Sequence, residues 1–362
     1  LAKMGEVLTN SQIGGRRNLF YNPKMSVSQR ATSVTGKTGG GYLVCDRYYV
    51  TIYNAGTWSL SQSTDVPTGE GFSNSFKFDC TTADASLAST DDVAFEQRFE
   101  GQDLQQLKKG TSNAETTILS FYVKSNKTGT YNINLIDNDN SLRMIAKSYT
   151  INSANTWERK EILIEGDTTG ALGNDNGFSL LVQWKLATGS AQTSGSLQTS
   201  WGTYDATKRA EGQVNLADST SNEWYITGIQ WELGTATPFE HRSFGEELEL
   251  CQRYYFRINP TDSYQRYCYM SYTTATAAEG VLNFPTRMRT EPSFENTGTS
   301  TNYAIYIQGN VRAISSSLSI GAASGDDRIT LTGNTSSGDT GVVGQFLANN
   351  NTSAFIAFSA EL

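Results

Sequence analysis

Three kinds of side chain in this sequence could do chemistry, and their spacing shows which of them is set up for it. Five carboxylates, Asp91, Asp92, Glu96, Glu158 and Glu161, fall in or beside strand-like segments. Glycoside hydrolysis needs two carboxyl groups flanking the scissile bond, so a glycan depolymerase is the enzymatic alternative. With 36 acidic residues in 362, some carboxylates must lie close by chance, and turns and strand edges hold solvated ones anyway. The single histidine, His241, sits in Pro238-Phe239-Glu240-His241-Arg242. It completes a catalytic triad only if a serine and an acid converge on it, and its place between two elements reads as a hydrogen-bonded tie. No phosphate loop, dinucleotide fingerprint or His-Glu-x-x-His motif is present. The reading is non-enzymatic.

Asp137-Asn138-Asp139-Asn140 and Asn174-Asp175-Asn176-Gly177 supply hard oxygens of the kind Ca²⁺ takes. Neither fits the twelve-residue calcium loop, and both fall where hairpin turns are required. No cofactor is expected, with Asp137, Asp139 and Asp175 as the candidate ligands of one structural Ca²⁺. The third kind is aromatic. Trp58, Trp201, Tyr204 and Tyr264 stand among polar residues and could stack on sugar rings, while neighbouring Asn, Asp and Gln bond hydroxyls. Trp184 and Trp231 sit in alternating strand patterns and read as core.

The elements that must position these groups are strands. From residue 18 to about 242 the apolar period is two: Phe76 and Phe78; Val93, Phe95 and Phe99; Leu119, Phe121 and Val123; Tyr131, Ile133 and Leu135. Phe178, Leu180, Val182, Trp184 and Leu186 give the clearest strand. Ser120, Tyr122 and Lys124 face away from the apolar side of theirs. Gly101 to Leu107 fits one helical turn between sheets. The stretch from Gly189 to Gly212 is a long polar loop, either a packed Ω-loop or a contact surface. Ser243-Phe244-Gly245-Glu246 is a capping box opening a short helix. The fold expected is all-β: a connector over 1–17, a jelly-roll β-sandwich over 18–242, a linking helix over 243–250 and a smaller C-terminal β domain over 251–362. Leu1, Met4, Val7 and Leu8 form a weak helical stripe in the connector.

Composition excludes several classes. A net charge of −8 argues against a nucleic-acid partner, which needs clustered Lys and Arg. No apolar run approaches the ~20 residues of a membrane helix, so membrane insertion is not expected. Cys45, Cys80, Cys251 and Cys268 are too dispersed for a zinc or redox motif and read as buried thiols of a protein made in a reducing cytoplasm.

Several motifs together resemble a module of bacteriophage tail-fibre and other virion appendage proteins. They are Asn18-Leu19-Phe20-Tyr21-Asn22-Pro23-Lys24-Met25 with Ser28-Gln29-Arg30; Gly41-Tyr42 with Asp46-Arg47-Tyr48; and Gln97-Arg98-Phe99-Glu100-Gly101. Ser120-Phe121-Tyr122-Val123-Lys124-Ser125, Lys127-Thr128-Gly129-Thr130-Tyr131, Thr156-Trp157-Glu158 and Asp175-Asn176-Gly177 continue the pattern. It closes with Trp224 to Gly234, Thr237 to Arg242 and Cys251-Gln252-Arg253-Tyr254-Tyr255. The resemblance covers roughly residues 18–256 and is loose beyond. Position 48 is Tyr where many members carry Trp, a change of packing rather than role. The resemblance implies a jelly-roll like carbohydrate-binding modules, a virion location after assembly in the host cytoplasm, and a homotrimer. Such modules often hold a structural Ca²⁺. Leu1, Met4, Leu8 and the C-terminal aromatics are the expected axial contacts. Two functions follow: a receptor-binding fibre that holds host-surface glycan, or a structural tail or capsid part that binds only its virion neighbours.

Overall fold

The computed structural model describes residues 16–316 and 318–362, so the Leu1–Leu8 stripe lies outside the described residues. The chain divides into two compact units at Glu247, within the helix Phe244–Gln252. The Ser243–Glu246 capping box closes reciprocally. Ser243 N donates to Glu246 Oε2 at 2.8 Å, and Glu246 N donates to Ser243 Oγ at 3.3 Å.

The first unit is almost wholly β. Its strands are β1 (Ser33–Tyr42), β2 (Tyr49–Ser63), β3 (Ser75–Thr82), β4 (Asp92–Glu100), β5 (Thr117–Ser125) and β6 (Gly129–Asp137). Next come β7 (Arg143–Ile151), β8 (Glu158–Ile164), β9 (Phe178–Thr188), β10 (Gly202–Thr203) and β11 (Glu223–Leu233). All pair antiparallel along one path, β10-β7-β6-β9-β4-β2-β3-β11-β5-β8, with β1 beside β2. One strand folds that path into two layers. The first part of β2, Tyr49 to Tyr53, pairs with β4, and its second part, Thr57 to Ser63, pairs with β3. Between them Asn54 (φ 50°) and Gly56 (φ 73°) turn the corner. A Cβ on Gly56 would lie 2.4 Å from the Thr82 carbonyl oxygen, so only glycine fits there. A strand that changes sheets at a bend is how sandwich corners are made.

The alternating apolar residues meet between the layers. Phe95 of β4 packs on Trp224 of β11 at 5.8 Å, Phe99 on Trp231 at 5.6 Å, and Phe121 of β5 on Trp184 of β9 at 5.6 Å. Gly101–Leu107 forms a 3-10 helix. Several residues of the fibre-like motifs lie buried in this framework. Asn18 donates to Ile229 O at 2.8 Å and accepts from Trp231 N at 3.1 Å. Tyr21 and Gln97 exchange two hydrogen bonds, and Asn22 ties Val27 to Asp46. Asn18, Tyr21, Asn22 and Gln97 are all buried and tie the N-terminal segment to the strands.

The outer face of the β6–β9 layer is covered by the segment after β9. Leu197 and Tyr204 pack on Ile136, Met144, Ala146 and Leu181, and Ala146 N donates to Gln198 O at 2.7 Å. The long polar loop is therefore a packed Ω-loop, and it explains why Asn132, Asn134 and Lys185 are fully buried on strand faces that point away from the core.

The second unit runs from Leu248 to Glu361. It contains β12 (Tyr255–Ile258), β13 (Arg266–Tyr272), β14 (Ala277–Asn283), β15 (Ser293–Asn296), β16 (Tyr303–Ile307) and β17 (Asn310–Ala313). The rest are β18 (Ser319–Ile320), β19 (Arg328–Asn334), β20 (Val343–Ala348) and β21 (Ile356–Ser359). They form a seven-stranded sheet, β17-β16-β20-β13-β14-β19-β18, and a three-stranded sheet, β12-β21-β15. Met270, Tyr303, Ile305, Leu331, Phe346 and Phe358 share its core. That corrects one expectation about the C-terminal aromatics. Phe358 is fully buried against Phe256, Phe284 and Phe294, so it cannot be an axial contact of a trimer.

Candidate functional site

A solvent-open cleft of about 580 Å³ lies on the outer face of β5 and β8. Strand register builds its floor: Ser120 stands opposite Glu161, Tyr122 opposite Arg159, and Thr227 of β11 on the other side of Tyr122. These are the side chains that alternate outward while Leu119, Phe121 and Val123 fill the core. One wall is the β2–β3 loop with Gly69, Glu70 and Phe72; the other is Ala236, Thr237, Pro238, Phe239 and His241 after β11.

Each wall is fastened. Tyr122 donates its phenol to Glu70 Oε2 at 2.6 Å; burial first, and then the Glu70 carboxylate, push the phenol up to about 12. Thr237 donates its backbone N–H (2.9 Å) and hydroxyl (2.6 Å) to the buried Glu232 carboxylate, and Glu240 N donates to Gln230 Oε1 at 2.7 Å. Phe72 links the walls, with ring centroids 5.5 Å from Tyr122, 4.9 Å from Phe239 and 5.7 Å from His241. Its ring needs Gly228. At φ 62° in a bulged stretch of β11, a Cβ there would lie 2.5 Å from Phe72 Cζ. Burial and the Lys24 ammonium push His241 down, and its ring packs edge-on to Phe239 with centroids 4.8 Å apart.

Beside the cleft the same face continues to Lys124, Tyr225 and Trp157. Lys124 pairs with Asp65 and lies 4.4 Å from the Tyr225 ring centroid, and Trp157 donates to Asp65 at 3.0 Å. Burial alone would raise the Asp65 carboxyl, but the bonds from Lys124 and Trp157 outweigh it and hold it low. Aromatic faces beside carboxylates, a guanidinium and hydroxyls suit a ligand with apolar ring faces and a hydroxyl rim.

The residues expected from the sequence fall elsewhere. Trp58 is fully buried, with its indole N–H bonded to Ala55 O at 2.7 Å, so it cannot stack on a ligand. Trp201 is half-buried in the Ω-loop, donating to Glu165 O with the Lys109 ammonium 5.3 Å from its ring. Tyr204 is half-buried there too, its hydroxyl accepting from Arg209 at 3.1 Å. Tyr264 is exposed, but in the second unit. The three proposed Ca²⁺ ligands do not form one cluster, although Asp139 and Asp175 both flank Gly173. Asp137 is fully buried and its cation is the Lys109 ammonium; Asp139 accepts from Gly173 N, and Asp175 from Gly177 N. Among the described residues, no group of three or more His, Cys, Asp or Glu side chains could hold a metal ion. Of the five sequence carboxylates only Glu161 lines the cleft. Asp92 is paired with Lys185, which burial pushes down to about 8; Glu96 is paired with Arg98, and Glu158 with Lys160.

No protein-family model matches the chain, and no curated protein matches it. Among solved structures it is similar to a putative sugar binding protein from Bacteroides thetaiotaomicron VPI-5482 (TM-score 0.33, 12% identity, 60% of this chain and 100% of that one). It is also similar to the enzymatically active domain of tailspike protein 4 of bacteriophage CBA120 (TM-score 0.32, 11% identity, 60% of this chain and 21% of that one). A third is the CBM22-2 xylan-binding domain from Paenibacillus barcinonensis (TM-score 0.28, 15% identity, 52% and 92%). The chain thus spans about a fifth of the tailspike structure. At these scores the likeness carries nothing about function.

Proposed function

We propose that this chain is a non-enzymatic attachment protein of a bacteriophage virion, a tail-fibre or appendage subunit that holds host-surface glycan in the β5–β8 cleft. The cleft carries the reading. It joins the partly buried Tyr122 and Phe239 rings and the His241 ring to a guanidinium, two carboxylates and hydroxyls in a volume suited to a few sugar rings. The fibre-like motifs support the virion assignment. Glu70 and Glu161 support binding rather than cleavage, because Tyr122 holds one and Arg159 the other. As a homotrimer, three weak sites would gain roughly 10²–10⁴ in avidity where geometry allows simultaneous engagement.

A second reading, a structural virion part without receptor binding, has one observation in its favour. Trp58, Trp201 and Tyr204 are all engaged inside their own fold. Adsorption separates the two. Purified intact protein added to host cells before phage is expected to lower the adsorbed fraction in a dose-dependent way. Unchanged adsorption at saturating protein, with normal adsorption by virions lacking the chain, would leave the structural reading.

A further inference from the structure

The seven-stranded sheet of the second unit leaves one face open, and strand register puts its exposed side chains in a single row. Val311 of β17 stands opposite Tyr306 of β16, Tyr306 opposite Gln345 of β20, and Gln345 opposite Tyr269 of β13. Ser271 pairs with Glu279, which brings Val281 of β14 beside Tyr269. The inward neighbours Ile305, Ile307, Phe346 and Met270 are core, so the row is the outer half of a strict alternation. It is open: Tyr269 is 67% exposed, Val281 53%, Val311 47% and Tyr306 38%. Leaving two tyrosines and two valines of one row in water is a cost that a ligand could offset.

We propose that this row is a second, separate binding platform for an extended, unbranched, uncharged glycan lying across the strands. Tyr269 and Tyr306 are two strands apart, so roughly 10 Å separates them at the usual strand spacing. The Gln345 amide lies between them, its oxygen accepting from Arg266 Nε at 2.6 Å. In an extended β-linked chain successive rings turn over, so every second ring presents the same face. An aromatic–amide–aromatic row matches that repeat: the tyrosines stack on alternate rings and the glutamine meets the hydroxyls of the ring between. A groove of about 510 Å³ opens at the Tyr269–Val281 end of the row, where Ser271, Glu279, Thr330 and Val343 join those two side chains. The next row over is mostly polar: Glu279 stands opposite Thr332, Thr332 opposite Ser319, and Ser271 lies between Glu279 and the apolar Val343. A narrow Tyr-Gln-Tyr line bordered mostly by polar side chains fits a single chain of sugar rings better than a protein surface, whose buried core is broader. The row's own side chains are uncharged, and Arg266 beside Gln345 and Glu279 beside Ser271 flank it with one charge of each sign, which favours a ligand without net charge.

The platform shares no residue with the β5–β8 cleft, so its test stands apart from that reading. Intact protein is run through native gels cast with hydroxyethylcellulose or xylan, against gels without polysaccharide. The wild type is expected to be retarded by at least one of the two. A Tyr269→Ala/Tyr306→Ala double variant should lose that retardation, with Kd weakened at least tenfold, and Gln345→Ala should weaken it partly. Both tyrosines are on the surface, and unchanged circular dichroism would show the variant folded. No retardation of the wild type by either polysaccharide overturns the proposal, as does retardation of the double variant equal to wild type. A double variant that light scattering shows to be a smaller assembly than wild type would assign the face to contacts between copies, which also overturns it.

Discussion

Lys109→Ala is expected to destabilise the first unit by about 3–5 kcal/mol, because it takes the ion-pair partner from the buried Asp137 carboxylate and one of two from Asp167. Lys109 is 7% exposed and pairs with both Asp137 (0%) and Asp167 (5%), while also donating to Gly170 O at 2.7 Å. Arg143 still grips Asp167 through two bonds, whereas its charge reaches Asp137 only at longer range and Asp137 has no other close ion pair among the described residues. Burial alone would raise the Asp167 carboxyl; hydrogen bonds from Arg143, the Thr169 N–H and Lys109 outweigh it and hold it below its ordinary value. The sign of the pH dependence follows. A carboxyl held below its unfolded value of about 3.9 contributes stability that is fully present above that pH and is lost as pH falls through the folded value. The gap between wild type and Lys109→Ala should therefore be widest near neutrality and narrow below about pH 4. All six tryptophans lie in the first unit, so their fluorescence through a urea titration reports that unit alone. Equal midpoints at pH 7 would remove Lys109 from the account.

Trp184→Ala should cost a similar amount, about 3–5 kcal/mol, for a different reason. Trp184 is fully buried, with ring centroids 5.8 Å from Phe20, 5.8 Å from Phe95 and 5.6 Å from Phe121, so it joins both layers and the N-terminal segment. Truncation leaves a cavity that three rigid rings cannot fill by small shifts. Trp184→Phe retains part of the contact and should lose clearly less. The urea midpoints of the two variants measure the difference; a Trp184→Ala midpoint near that of wild type would mean that the layers do not depend on this contact.

The fold was legible because a half-buried strand writes its packing into a two-residue period. Phe178 to Leu186, Leu119 to Val123 and Tyr131 to Leu135 are strands with those apolar residues facing inward. The cleft was only half legible. Ser120, Tyr122 and Lys124 read as an outward face, yet nothing local sets Tyr122 opposite Arg159 or Ser120 opposite Glu161; pairing between distant strands does. Its walls come from loops more than 150 residues apart, and the Gly69-Glu70-Gly71 and Pro238-Phe239 turns give only a weak signal. Trp58 misled because its neighbours Thr57 and Ser59 are polar, although Trp58 and Leu60 already carried the inward period. Trp201 and Tyr204 misled for a tertiary reason. Asn132 and Asn134 on β6 donate to the Glu211 and Arg209 carbonyls, folding the polar loop onto the sheet instead of leaving it in solvent.

The central claim is that the β5–β8 cleft holds glycan through Tyr122, Arg159 and Glu161. Its most direct test is calorimetric titration of intact protein with glycan released from the host surface, comparing wild type with a Tyr122→Ala/Arg159→Ala variant whose urea midpoint has been checked. Saturable binding by wild type, weakened at least tenfold in the folded variant, is the predicted result. Binding of equal strength by both proteins, or none by wild type, would contradict it.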